Sequence, residues 1–439
     1  MNQDPEAIGE AAAAKGEPAP KAETDLAPPP RGGSLLRDHE GGHAPVSYLE
    51  LFFDLVFVFA ITQMSHAVLN HLSPLGLLEA LILFLAVWWS WIFTTWATNW
   101  TEPQRVPVRL MLMFTMLASL GMAVAVPRAF AEGDRNGAWL FAGCYVAVQF
   151  GRSLFVAWAM AHSHDEGWRS DGARNMLRIT TWFLLSAPFW AAGALNESGH
   201  TRLLLWGAAL VIDYGGPFMG FRVPGLGRSQ PSDWDISGSH LAERCALFII
   251  IALGEGIVVT GTSFAKGDAD VAHTLAFVLA FAGSALMWWI YFDRGAERGA
   301  QHIAHHAEPG RVARNAYTYL HMPIVAGIVV TAVADALLME RPTEQASPAL
   351  ILTQAGGLIA FLAGTGLFKR PSSPHNNFPL SHWIGGGLIV ALAALGLFVP
   401  MAAPLYIALS VAALLVVAVQ EWASFHRHPI AGTPPTGDG

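Results

Sequence analysis

The feature that most constrains this chain is the repetition of apolar runs about 20 residues long, the length an α-helix needs to cross the hydrocarbon core of a bilayer. The runs lie at about 49–70, 75–99, 106–127, 138–161, 174–195, 201–220, 241–264, 271–293, 312–338, 348–368, 380–400 and 402–424. Short loops with turn-forming residues divide them, among them Ser73-Pro74, Glu132-Gly133-Asp134 and Pro371-Ser372-Ser373-Pro374. No water is available inside a bilayer to satisfy backbone N–H and C=O groups, so such runs fold as helices. The expected fold is all-α: a polytopic integral membrane protein of about twelve transmembrane helices. Composition agrees, because 53% of the 439 residues are apolar and only 13% charged, about half the charged share of a soluble domain.

Residues 1–45 differ in kind. Stretches such as Ala11-Ala12-Ala13-Ala14-Lys15 and Pro28-Pro29-Pro30 hold too little apolar surface to offset ordering entropy, and a disordered cytoplasmic tail is expected there. Residues 46–425 form the membrane domain and 426–439 a second short tail. Eighteen of the 25 Lys and Arg residues fall on one side of a twelve-span topology and five on the other. Cytoplasmic loops carry the excess of such residues, so both termini are expected in the cytoplasm, with the chain in the inner (plasma) membrane. The net charge of -8 comes with no basic stripe, which argues against nucleic-acid binding. The two cysteines, Cys144 and Cys245, lie inside apolar runs and read as small packing residues.

A weak internal repeat relates the halves. Glu50 opens span 1 and Trp88-Trp89 follows in span 2, while Glu243 opens span 7 and Trp288-Trp289 follows in span 8. Two parallel six-helix repeats would account for this, as in many transporters. Chance similarity between Trp-rich segments is the competing reading.

Ionisable residues inside spans are costly and are therefore paired, cavity-facing or functional. Glu50 and Asp54 stand four residues apart, so their carboxylates project from one helix face a turn apart and need a cation. Arg244 on span 7 and Arg152 on span 4 are the candidates. Glu243 and Arg244 lie near one end of span 7, and Glu255 follows about 16 Å deeper at nearly the same helical angle. That depth makes Glu255 the strongest candidate for an ion- or proton-coupled group. Asp213 precedes Tyr214-Gly215-Gly216-Pro217, where a helix end at the membrane surface is the cheaper explanation and a broken helix beside an ion site the other.

His302 and His306 have the i, i+4 spacing of a metal pair, but without the Glu of HExxH they read as weak candidates only. Gly356, Ala360 and Gly364 form a small-xxx-small stripe that would let a neighbouring helix approach closely. Nucleotide, haem and hydrolase motifs are absent, so no cofactor and no catalytic residue is expected.

Two segments carry a resemblance: Glu50-Leu51-Phe52-Phe53-Asp54-Leu55-Val56-Phe57-Val58, and His240-Leu241-Ala242-Glu243-Arg244 running on to Leu253-Gly254-Glu255. Over residues 45–425 the chain is similar to the low temperature requirement A (LtrA) family of bacterial multi-span membrane proteins. The resemblance singles out Glu50, Asp54, Glu243, Arg244 and Glu255 and implies a role in growth in the cold, but no reaction. Movement of a small solute, ion or lipid across or within the membrane is the leading expectation, with the bilayer and that unidentified molecule as partners. A membrane-embedded enzyme acting on a lipid or lipid-linked substrate, and a non-catalytic membrane organiser in cold adaptation, are the alternatives. The oligomeric state is not legible.

Overall fold

A computed structural model describes residues 34–37, 45–163, 166–230, 237–266, 270–293, 314–370 and 377–427. Twelve long helices run through these residues: α1 Tyr48–Asn70, α2 Pro74–Trp100, α3 Val106–Ala125, α4 Arg135–Ser163, α5 Asp171–Leu195, α6 Gly199–Phe218, α7 Gly238–Lys266, α8 Val271–Phe292, α9 His321–Glu340, α10 Pro348–Lys369, α11 Leu380–Phe398 and α12 Ala403–Arg427. No sheet forms among the described residues. Ten helices are long and apolar enough to span a bilayer; α5 and α6, which carry Pro188 and Pro217 internally, are not among the ten. The twelve expected runs thus correspond to twelve helices, of which ten meet the membrane criterion by length and composition.

The helices start where the sequence offers caps. The Ser47, Ser73, Ser170, Ser198 and Ser347 hydroxyls and the Asp270 carboxylate each accept a backbone N–H from the first turn that follows, satisfying donors that a helix leaves orphaned. Pro74 and Pro348 occupy the first position of α2 and α10, where a missing N–H costs nothing.

The centre of the bundle is α2. Every residue from Ala86 to Trp100 is buried, and the helix packs against α1, α4, α6 and α7. An all-round burial of this kind is what a helix apolar on every face requires. By contrast Trp288 and Trp289 of α8 are 49% and 48% exposed, against 2% and 0% for Trp88 and Trp89. The two Trp pairs behind the suggested repeat therefore occupy unlike environments. Part of the expected tail is also in register with the fold: Arg37 N–H donates to Trp100 O at 3.0 Å, and Glu102 N–H to Leu35 O at 2.9 Å.

Among the closest helix contacts is that of α9 with α10, made possible by glycine, though not by the stripe expected. Gly356 is exposed, and a Cβ added there would meet nothing, so the contact face is rotated by one residue. A Cβ on Gly327 would lie 2.6 Å from Gly357 O and Phe361 N, and one on Gly357 would lie 2.8 Å from Thr331 N. Gly364 does take part, against Ile324. Because backbone cannot yield as a side chain can, Gly327→Ala should force α9 and α10 apart and cost about 1–3 kcal/mol. Gly356→Ala should leave the unfolding temperature in detergent unchanged, and equal losses for the two variants would refute this packing.

Candidate functional site

Glu50 lies in the first turn of α1 because Ser47 caps it there: Glu50 N–H donates to Ser47 Oγ, and Glu50 Oε2 accepts from Ser47 N–H at 2.8 Å and Ser47 Oγ at 2.9 Å. This capping box fixes the carboxylate at the helix end. One turn on, Asp54 points the same way. Both are 0% exposed, and the cation that meets them is Arg244 of α7, with NH2 2.7 Å from Asp54 Oδ1 and NH1 3.4 Å from Glu50 Oε1. Arg37 adds a second cation, 3.4 Å from Glu50 Oε2. Trp91 and Thr95 of α2 complete the shell: Trp91 Nε1–H donates to Asp54 Oδ1 at 2.8 Å, and Arg244 NH2 donates to Thr95 Oγ1 at 3.5 Å.

His240 closes the far side of Glu50, and its neighbours define its tautomer. Ser237 N–H donates to Asn99 Oδ1 at 3.0 Å, which turns Asn99 Nδ2 toward His240 Nδ1 at 3.2 Å. An amide N–H donor there makes Nδ1 the acceptor. The ring proton is then on Nε2, which donates to Glu50 Oε1 at 2.8 Å. With a neutral imidazole, two carboxylates face two guanidinium groups and the cluster is charge-balanced. Its hydrogen bonding is incomplete, however: Asp54 Oδ2 and Arg244 Nε and NH1 are buried without a hydrogen-bond partner among the described residues.

The other expected residues fall elsewhere. Glu243 is half-buried and turned away from Arg244, accepting from Val46 N–H at 3.4 Å. Arg152 is buried but meets neither Glu50 nor Asp54, so of the two candidate cations only Arg244 serves them. Asp213 does not sit at a surface. The helix ends five residues later at Phe218, yet the carboxylate turns inward and is 1% exposed, with Tyr145 O–H donating to Oδ2 at 2.7 Å and Trp190 Nε1–H at 3.4 Å. Glu255 is 3% exposed, and its Oε1 has no partner among the described residues. No described cation lies within ion-pair range of it. His302 and His306 lie outside the described residues, and no metal-binding group of three His, Cys, Asp or Glu occurs within them.

Sequence reasoning missed three features. Arg37 sits in a stretch read as tail, and His240 was only part of a motif. The third feature joins α10, α11 and α12: Lys369 Nζ lies 2.7 Å from Glu421 Oε2 and donates to Ile290 O, and His382 Nδ1 lies 3.4 Å from Glu421 Oε1. A lone carboxylate in the last apolar run was the available signal for it.

Comparison with known proteins covers most of the chain. The family model described as bacterial low temperature requirement A protein (LtrA) matches residues 45–419. A protein of Rhizobium meliloti (strain 1021), described as uncharacterized, is 40% identical over 390 residues, covering 88% of this chain and 91% of that one. No solved structure matches the chain.

Proposed function

The chain belongs to the low temperature requirement A (LtrA) family and is a multi-pass membrane protein, and from that premise we propose that it carries a small solute or ion across the membrane. The observation that supports this reading is the incomplete ion cluster between α1, α2 and α7. A buried ion pair stabilises a fold weakly, because desolvation offsets most of the Coulomb attraction, and well-packed apolar residues do as well or better. A pair that also leaves Asp54 Oδ2 and two Arg244 nitrogens without hydrogen bonds is a poor way to hold helices together. It is a good way to hold them in one of two arrangements, since opening lets water complete the missing bonds. Glu255, about 16 Å along α7 from Arg244, offers a second buried carboxyl group on the same helix. The Lys and Arg distribution orients this path with both termini and the Glu50 end of α1 in the cytoplasm.

Cysteine accessibility tests the reading without knowledge of the solute. Thr95, beside Arg244, is 0% exposed and is replaced by cysteine in a Cys144→Ala, Cys245→Ala background. In lipid vesicles, a membrane-impermeant maleimide should label Thr95→Cys when added outside and also when trapped inside, as alternating access requires. Labelling from one side only would replace the carrier by a membrane enzyme with a one-sided cavity. No labelling from either side would leave a static organiser.

A further inference from the structure

Arg152 of α4 is the counterpart of Glu255: a buried ionisable group with no group of opposite charge beside it among the described residues. It is 1% exposed. Its NH1 donates to Ser90 O at 3.3 Å and Thr94 Oγ1 at 3.2 Å, and its NH2 to Gln149 Oε1 at 2.5 Å and Ser153 Oγ at 3.4 Å. Every one of these acceptors is neutral. The rings of Phe93 and Phe183 lie 5.4 and 5.8 Å from its Cζ and shield it from water. Among the described residues no carboxylate lies within ion-pair range, and Asp213, which also touches α4, is engaged by Tyr145 and Trp190. A guanidinium in this setting keeps its charge at a cost that neutral acceptors offset only in part.

Two further groups in the same shell are poorly satisfied. Among the described residues Ser90 Oγ is buried without a hydrogen bond, and Gln149 Nε2 makes none of good geometry although the amide lies beside the Tyr145 hydroxyl, while the oxygens of the same two residues hold Arg152. Ser90 is 0% exposed and Gln149 1%. A cation with only neutral acceptors beside it, next to a hydroxyl and an amide N–H₂ whose own hydrogen bonding is incomplete, is the complement of an anion. We propose that Arg152, Ser90 and Gln149 form a binding site for a small monovalent anion. A single positive charge matches a single negative one.

The site adjoins the ion cluster through α2. Ser90 and Thr94 face Arg152, while the next residues along, Trp91 and Thr95, face Asp54 and Arg244. An anion at Arg152 is thereby one helix away from the pair proposed to open. This inference names the cargo of the proposed carrier and rests on that reading for movement, but not for binding.

Binding is tested at equilibrium on the full chain in lipid nanodiscs, with chloride and nitrate as probes replacing gluconate at constant ionic strength. A ligand of the folded state raises its unfolding temperature saturably. Chloride or nitrate should do so, and gluconate should not. Gln149→Leu and Ser90→Ala should each weaken the apparent affinity about tenfold or more, the loss expected for one hydrogen bond to a charged partner. Arg152→Gln should abolish the effect, and the two donor variants carry the test where it fails to fold. Absence of a saturable effect in the unaltered protein, or undiminished affinity in both donor variants, would overturn the site. Saturable binding with one-sided labelling of Thr95→Cys would keep the site and discard the carrier; two-sided labelling without binding would do the reverse.

Discussion

Arg244→Ala should be among the most damaging single substitutions in the molecule, lowering stability by about 3–5 kcal/mol. The reason is what remains behind. Asp54 loses its cation and keeps only the Trp91 N–H, and Glu50 keeps Arg37 at 3.4 Å and a neutral histidine. Two carboxylates a turn apart then face each other in a dry site. The companion change Asp54→Ala removes half of that burden, so Asp54→Ala with Arg244→Ala should cost clearly less than the sum of the two single variants. Thermal unfolding in detergent of both singles and the double provides the cycle. Additive losses would mean that the 2.7 Å contact between the two side chains carries no coupling.

Lys369→Met should be nearly as harmful, for a different reason. Here the network is complete: both Glu421 oxygens meet Lys369 Nζ, at 3.0 and 2.7 Å, and His382 is held by Ser381 and Thr365. Lys369 and Glu421 are 8% and 5% exposed, so little water screens them. Removing the lysine leaves a buried carboxylate and should cost about 3–5 kcal/mol, whereas Lys369→Met with Glu421→Leu should fold within about 1 kcal/mol of the original or be more stable. A double variant as unstable as the worse single would show that this network holds α8, α10 and α12 in a way that apolar packing cannot replace. The same thermal measurement decides it.

How much of this was legible follows from what one dimension of information can carry. Helix positions were readable to within a few residues, because a run of about 20 apolar residues declares both its type and its length. The Glu50–Asp54 pair was readable from its spacing, since four residues is one turn. Its partner was narrowed to two arginines, and the choice of Arg244 over Arg152 depended on which helices surround α2, which no local pattern encodes. Depth was similarly readable for Glu255, whereas the lack of a cation beside it among the described residues was not. Gly356 and Gly357 differ by one residue and therefore by about 100° of helix rotation, so a stripe of small residues identified the helix that packs closely without identifying the face. Arg37 was hidden by its setting, because a Pro- and Gly-rich tail gives no sign that Arg37 bonds to the end of α2. Lys369 and Glu421 are 52 residues apart, and Lys369 ends its helix, where a charge gives no sign of a buried partner.

The central claim is that the charges beside α2 serve movement and not stability, and the neutralised pair Asp54→Leu with Arg244→Met tests it most directly. The measurement is two-sided maleimide labelling of Thr95→Cys in that background, on protein whose unfolding temperature has been checked. The account predicts a variant about as stable as the unaltered protein, labelled from one side of the vesicle or from neither, because the element that switches between two arrangements has been fused into one. Labelling from both sides at the unaltered rate, in a variant that folds normally, would contradict it.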